Sequence, residues 1–126
     1  MLDAAVRWDA DVVHGTSMLA SLRDDTPDNM LKMSDGDWCV LTPERPAVTE
    51  ETLITDSPEA LLARWMRHEL HWSAWNKLYR RSMLLEHHIQ FGKMRLAEDQ
   101  QFCFCCLFWA RRYVRIPGAG YCYRQA

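Results

Sequence analysis

The sequence predicts an α/β domain in which three main helices pack on a small mixed sheet. Two of the helices follow from apolar residues that recur at helical spacing, and the third from an apolar segment that opens with an acidic pair. Short apolar and aromatic runs bounded by glycine and proline predict the strands. The predicted main helices cover residues 57–69, 82–89 and 98–112.

The composition is that of one globular domain, predicted to span residues 1–126. Hydrophobic residues make up 48% and charged residues 25%, and the net charge of −2 gives no reason to expect a nucleic-acid partner. Five cysteines, three of them within residues 103–106, predict free thiols in a reducing compartment. Because the sequence shows no signal-peptide profile and no apolar run of membrane-spanning length, we expect a cytoplasmic location.

The N-terminal part of the chain predicts a short helix that leads into a buried strand. Residues 1–8 place Leu2, Ala5 and Val6 on one helical face, and residues 9–14 form a strand around a pair of valines. From 15 to 55 the sequence is dominated by turn-forming residues, with one short strand at 38–41. No function is predicted for this region.

The first main helix has a well-defined start. Ser57 can cap free amide groups, Pro58 has no N–H to lose, and Glu59 suits the positive end of the helix dipole. A buried stripe follows at helical spacing and consists of Leu61, Leu62, Trp65 and Met66.

The second half of the chain alternates extended and helical segments. Residues 72–79 are predicted to be extended, Ser82 is predicted to cap the second helix, and residues 90–97 form a loop. The third helix has Glu98 and Asp99 in its first turn and basic residues in its last. A strand at 113–116, a turn at 117–120 and a final strand at 121–123 complete the sheet.

Three motifs in the second half occur in a distinctive order. The run W-N-K-L-Y-R-R begins at Trp75, E-D-x-x-F begins at Glu98, and Y-x-Y-R begins at Tyr121 after a short basic and apolar strand. This order and spacing resemble the C-terminal half of the catalytic domain of bacterial family-2 glycosyltransferases. The resemblance covers residues 57–125, more weakly residues 1–14, and implies the acceptor-side portion of a GT-A fold whose donor-binding half is absent.

The resemblance also implies roles for individual residues. Asp99 would be the catalytic base that deprotonates the acceptor hydroxyl, with Glu98 as a neighbour that orients the acceptor or the base. Contacts to the acceptor or the diphosphate would come from Trp75, Asn76, Lys77 and Arg124. From the residues alone, other roles stay open: an acidic pair suits any helix start, Trp75 can belong to the core, Lys77 can be a solvated charge, and Arg124 can pair with a carboxylate.

Metal binding by the chain itself is not predicted. The family uses Mn²⁺ or Mg²⁺ with the nucleotide sugar, and two D-x-D patterns occur here, at Asp9-Ala10-Asp11 and Asp35-Gly36-Asp37. Such patterns are common by chance. The first follows the first predicted helix without the upstream strands that a donor site requires, and the second lies in a predicted turn. The histidine pair His68 and His71 and the Cys103-x-x-Cys106 pattern lack the spacings of zinc sites.

The resemblance therefore implies an inverting glycosyltransferase that moves a sugar from a nucleotide diphosphate sugar to a glycan or lipid-linked acceptor. Without a donor-binding half, the chain alone is expected to be inactive. The alternative is a non-catalytic binding or assembly module derived from such an enzyme, and a chance match of motifs in an unrelated α/β protein is a third reading. Self-association and peripheral membrane contact are both compatible with the sequence.

Overall fold

The computed structural model describes residues 1–21, 30–32, 38–43, 48–54 and 57–125. Within these ranges the helices are α1 (Leu2–Arg7), α2 (Pro58–Met66), α3 (Arg81–Glu86) and α4 (Glu98–Trp109). The strands are β1 (Val12–Ser21), β2 (Met30–Lys32), β3 (Trp38–Pro43), β4 (Thr52–Ile54), β5 (Lys77–Tyr79) and β6 (Tyr113–Gln125). None of the described helices is long and apolar enough to cross a membrane.

The described strands form one mixed sheet in the order β2-β3-β1-β6-β4. The two long central strands, β1 and β6, run parallel, and their register shifts on either side of Thr16. The remaining pairs are antiparallel, including β5, which pairs with the start of β1 so that His14 lies opposite Lys77. The α/β class and the mixed sheet are therefore as predicted.

Successive residues of the central strands point to opposite faces of the sheet and pack in two cores, one on each face. Val12 and Tyr113 face the larger core, which also includes buried residues of α2, α3 and α4. Val13 and Val114 face a smaller core that is closed by α1 through Ala4. The domain is consequently a three-layer arrangement of helices, sheet and helix.

Local signals at the start of α2 are confirmed in the structure. The Ser57 hydroxyl accepts a hydrogen bond from the Ala60 N–H at 3.3 Å, and Pro58 occupies the first turn. Leu61 is fully buried, whereas Met66 is exposed because it ends the helix. The predicted cap at Ser82 is wrong, since α3 begins one residue earlier and Arg80 occupies the capping position without a side-chain cap.

Three further predictions need correction. The helix at 98–112 ends at Trp109, because the next backbone N–H groups bond to Asp11 rather than continuing the helix. The residues from 113 to 125 form one strand with an irregular middle rather than two strands and a turn. In α1, Leu2 and Val6 are 68% and 74% exposed, and the buried residue is Ala4, which belongs to the smaller core with Ala5 packed against it.

Candidate functional site

The acidic pair lies where α4 meets the segment that precedes β5. Glu98 and Asp99 occupy the first turn of α4, and both are half-buried. The Ala74 N–H donates a hydrogen bond to Asp99 Oδ2 at 3.2 Å. This contact joins the start of α4 to the residue before Trp75, so two of the motifs that are far apart in sequence meet in the fold.

Backbone strain occurs immediately before the pair. Ala97 has a φ of 63°, which places a residue with a side chain in the left-handed region. Such a conformation costs about 1–2 kcal/mol and persists only where the surroundings impose it. Here it turns the preceding loop sharply into α4 and aims the first turn of the helix at Ala74.

An aromatic cluster lies beside this contact and consists of His71, Trp72, Trp75 and Tyr121. The rings of Trp75 and Tyr121 are 4.4 Å apart, and His71 stacks on Trp72 at 5.4 Å and lies 6.3 Å from Trp75. Trp72 and Tyr121 are 43% and 42% exposed. Exposed aromatic faces suit the apolar C–H faces of sugar rings, so the cluster is a candidate carbohydrate platform.

His71 is held in one orientation within the cluster. Its Nδ1 accepts the Ser73 N–H at 3.1 Å and lies 2.6 Å from the Ser73 hydroxyl. Burial, together with the nearby Lys77 charge, lowers the pKa of His71 to about 4. The imidazole is therefore neutral at physiological pH, and the proton on its ring belongs to Nε2 because Nδ1 is an acceptor.

A buried polar network connects Asn76 and Lys77 to the central strands of the sheet. Lys77 Nζ donates to Asn76 Oδ1 at 2.8 Å, Asn76 Nδ2 lies 3.2 Å from His14 Nε2, and His14 Nδ1 lies 2.8 Å from the Tyr113 hydroxyl. An ammonium can only donate, so the Asn76 amide must turn its NH₂ toward His14. His14 therefore accepts at Nε2 and carries its proton at Nδ1, facing Tyr113.

Burial determines the charge state of this network. Desolvation, together with the neighbouring Lys77 and Arg115 charges, holds the pKa of His14 well below its usual range. Desolvation also raises the pKa of Tyr113. Lys77 additionally donates to the Ser73 carbonyl, so both ends of the segment from Ser73 to Lys77 are tied to one cation.

The structure places the predicted site residues at different depths. Trp75 is half-buried between His71 and Tyr121, whereas the Asn76 side chain is only 1% exposed and bonds within the protein. Lys77 is half-buried and bonded to the same segment. The backbone of Arg124 belongs to β6, but its side chain lies outside the described residues.

Sequence reasoning did not identify His71, His14 or Tyr113 as part of this region. Tyr121 was noted within the Y-x-Y-R motif, but no contact was predicted for it. His71 lies four residues before Trp75, and a histidine next to a tryptophan-rich motif is the signal that could have drawn attention to it. His14 and Tyr113 become neighbours only because β1 and β6 pair in parallel.

The two carboxylates of the first D-x-D pattern bond to other groups of the protein. Asp9 pairs with Arg80, and the hydrogen bond from that guanidinium, together with its charge, lowers the pKa of the Asp9 carboxyl. Asp11 Oδ1 contacts Arg80 Nε at 2.9 Å, and its Oδ2 accepts the N–H groups of Arg111 and Arg112 at 2.9 and 3.1 Å. Carboxylates neutralised by a guanidinium and directed at amides do not fit a role as Mn²⁺ or Mg²⁺ ligands.

The cysteine pair and the second D-x-D pattern are the remaining candidate metal ligands. Cys103 and Cys106 are both buried, Cys106 in the larger core, and burial raises the pKa of both thiols, to about 12 for Cys106. Across the part of the chain that the structure describes, no three His, Cys, Asp or Glu side chains are grouped to hold a metal ion. Asp35 and Asp37 lie outside the described residues.

Comparison with known proteins gives a partial similarity. No family model matches the chain. A stretch of 49 residues is 47% identical to a protein of Bacillus subtilis (strain 168) described as "Putative glycosyltransferase EpsH". The match covers 35% of this chain and 14% of that protein, so the chain spans a small part of its relative's length. The similarity supports a glycosyltransferase relationship.

Proposed function

We propose that this chain forms the acceptor side of an inverting family-2 glycosyltransferase with a GT-A fold. The observation that best supports this proposal is the hydrogen bond from the Ala74 N–H to Asp99, which holds a carboxylate at the start of α4 next to the aromatic cluster. The donor would be a nucleotide diphosphate sugar and the acceptor a glycan or lipid-linked sugar. The short similarity to a glycosyltransferase supports this class of reaction.

Asp99 is the proposed base. As the acceptor oxygen attacks the anomeric carbon of the donor sugar, Asp99 takes the hydroxyl proton, and the bond from that carbon to the diphosphate breaks on the opposite face. The new glycosidic bond then has the inverted configuration. Because Asp99 Oδ2 accepts the Ala74 N–H, we propose that Oδ1 is the oxygen that takes the proton. Glu98 is proposed to orient the acceptor.

The aromatic cluster is the proposed acceptor platform. Trp75 packs on Tyr121 with ring centroids 4.4 Å apart, and Tyr121 and Trp72 are the exposed rings of the cluster. The predicted acceptor contacts of Asn76 and Lys77 remain proposals. Because both side chains bond to the protein around Trp75, their geometry favours supporting the platform over touching the sugar. Arg124 is proposed to neutralise diphosphate charge.

Donor binding is proposed to involve residues other than those of the first D-x-D pattern. Asp9 and Asp11 do not fit a metal, so the Mn²⁺ or Mg²⁺ that the family uses would have other ligands. We therefore expect the described part of the chain to bind acceptor sugars without a nucleotide or a metal. Acceptor binding can then be tested independently of transfer.

The test is saturation-transfer NMR of the purified chain against a panel of oligosaccharides and hexose glycosides. We expect binding that is lost in Trp75→Ala. The control is Trp109→Ala, which removes an exposed tryptophan at the end of α4, where its ring stacks on His87 at 3.8 Å. A folded wild-type chain that binds no glycan, or equal losses in the two variants, would overturn the proposed acceptor platform.

A further inference from the structure

The loop between α3 and α4 has an unusual surface for a soluble domain. In this 90–97 loop, the apolar residues Phe91, Met94 and Leu96 are 52%, 52% and 82% exposed. The residues between them include Lys93 and Arg95, both exposed. Single exposed apolar residues are ordinary, but three within six positions, interleaved with cations, give the loop a basic and apolar surface.

The base of the loop is fixed to α4. The Phe91 ring stacks on Phe102 with centroids 4.2 Å apart and planes within 6°. Gly92 lies so close to Gln101 that a methyl group there would collide with that side chain. At the other end, Ala97 turns sharply into the helix. The tip from Lys93 to Leu96 is therefore presented outward by anchors on both sides.

The charge of this region differs from that of the whole chain. From 87 to 97 the sequence contains no carboxylate, whereas it contains Lys93, Arg95 and two histidines. The chain as a whole carries a net charge of −2. A local cationic, apolar tip on a weakly acidic protein is complementary to an anionic lipid surface, where the cations meet headgroups and the apolar side chains enter the boundary with the acyl chains.

We propose that the 90–97 loop binds the surface of an anionic lipid bilayer. Leu96 is three residues from Asp99, a separation of at most about 10 Å along the chain. A membrane-bound tip would thus hold the carboxylate next to the headgroup layer. Membrane binding also indicates the class of acceptor, and this step rests on the proposed function: the acceptor would be a sugar carried on a lipid rather than a soluble glycan.

The test is cosedimentation of the full chain with vesicles of neutral phosphatidylcholine, and with vesicles in which about a third of the lipid is phosphatidylglycerol. We expect binding to the anionic vesicles that weakens with added salt. Lys93→Gln with Arg95→Gln should weaken it about thirtyfold, the effect of two cations at an anionic surface. Met94→Ser with Leu96→Ser should weaken it more than about tenfold.

The control is Val6→Ser with Met66→Ser, which changes two equally exposed apolar residues, 74% and 70% exposed, on α1 and α2. This variant should bind as the wild type does. No binding of the wild type to anionic vesicles, or an equal loss in the control, would overturn the proposal. So would light scattering that shows a dimer abolished by Met94→Ser with Leu96→Ser, because the tip would then be a protein contact. Vesicle binding involves no sugar, so its failure is separate from failure of the acceptor site.

Discussion

Asp99 has a structural role, and the proposed function gives it a chemical role at the same position. Its Oδ2 receives the Ala74 N–H, and its place in the first turn of α4 suits a negative charge. The type of this residue and its place at a helix start could be predicted from the sequence. Its contact with Ala74 could not, because it joins residues 25 positions apart through an irregular segment.

Replacing Asp99 with Asn separates the two roles. An amide oxygen can still accept the Ala74 N–H, so we expect the fold and acceptor binding to be kept. Removal of the base should slow sugar transfer by about a hundred- to ten-thousandfold. The measurement is release of nucleoside diphosphate in single-turnover assays, with a donor-binding domain added where the chain alone does not turn over. Unchanged transfer by Asp99→Asn would contradict the assignment.

His14 gives the stability of the protein a defined pH dependence. Its pKa in the folded state is well below its usual 6.5, so the unfolded chain binds a proton that the folded chain excludes as the pH falls from 7 to 5. Stability should therefore decrease with acidification, by up to about 1.4 kcal/mol for each pH unit below 6.5. His71 adds a smaller effect of the same sign, because it is only half-buried.

The check is urea unfolding of the wild type and of His14→Gln between pH 7 and pH 5, a range above the usual pKa values of carboxyl groups. His14→Gln should be less stable at pH 7, and its stability should depend less on pH. The double variant His14→Gln with His71→Gln should show the weakest dependence. An unchanged slope in His14→Gln would show that this imidazole is not the acid-sensitive group.

At the scale of single elements, local signals predicted where helices begin better than where they end. The start of α2 followed from Ser57 and Pro58, because capping involves neighbours in sequence. The end of α4 was missed because Asp11, 100 positions away, takes the Arg111 N–H. The buried face of α1 was missed because Ala4 packs with Val13 and Val114, and Val114 is distant in sequence.

A pair of serine variants tests the capping assignments. Ser57→Ala should lower the free energy of unfolding by about 1 kcal/mol, because the Ala60 N–H loses its partner. Ser82→Ala should change it by a few tenths of a kcal/mol at most, since Ser82 is exposed inside the first turn of α3 and caps nothing. Denaturant unfolding of both variants gives the comparison. Equal losses would contradict the cap at Ser57.

At the scale of the whole molecule, Asp11 connects the two ends of the chain. Its carboxylate pairs with Arg80, next to β5, and accepts a backbone N–H of the turn between α4 and β6. These contacts fix how the parallel strands β1 and β6 enter the sheet. The α/β class and the mixed sheet were predictable from the order of elements. The register that brings His14 to Tyr113, and Trp75 to Tyr121, depends on these long-range contacts.

Asp11→Ala should therefore destabilise the whole fold. We expect a loss of about 2 to 3 kcal/mol in the free energy of unfolding, because three donors lose a charged acceptor at once. Asp9→Ala is the matched control and should cost much less, since Asp9 is exposed and makes one surface ion pair with Arg80. Denaturant unfolding measures both variants. Similar losses would mean that Asp11 is not the structural residue of the pair.

Calorimetric titration tests the central claim, that this chain carries an acceptor side, most directly. The purified chain is titrated with the oligosaccharides and hexose glycosides of the same panel, and then with UDP-glucose and GDP-mannose, each with and without Mn²⁺. The account predicts heat of binding with the glycan alone. Mn²⁺-dependent binding of a nucleotide sugar, with no binding of any glycan, would contradict it and place a donor site in this chain instead.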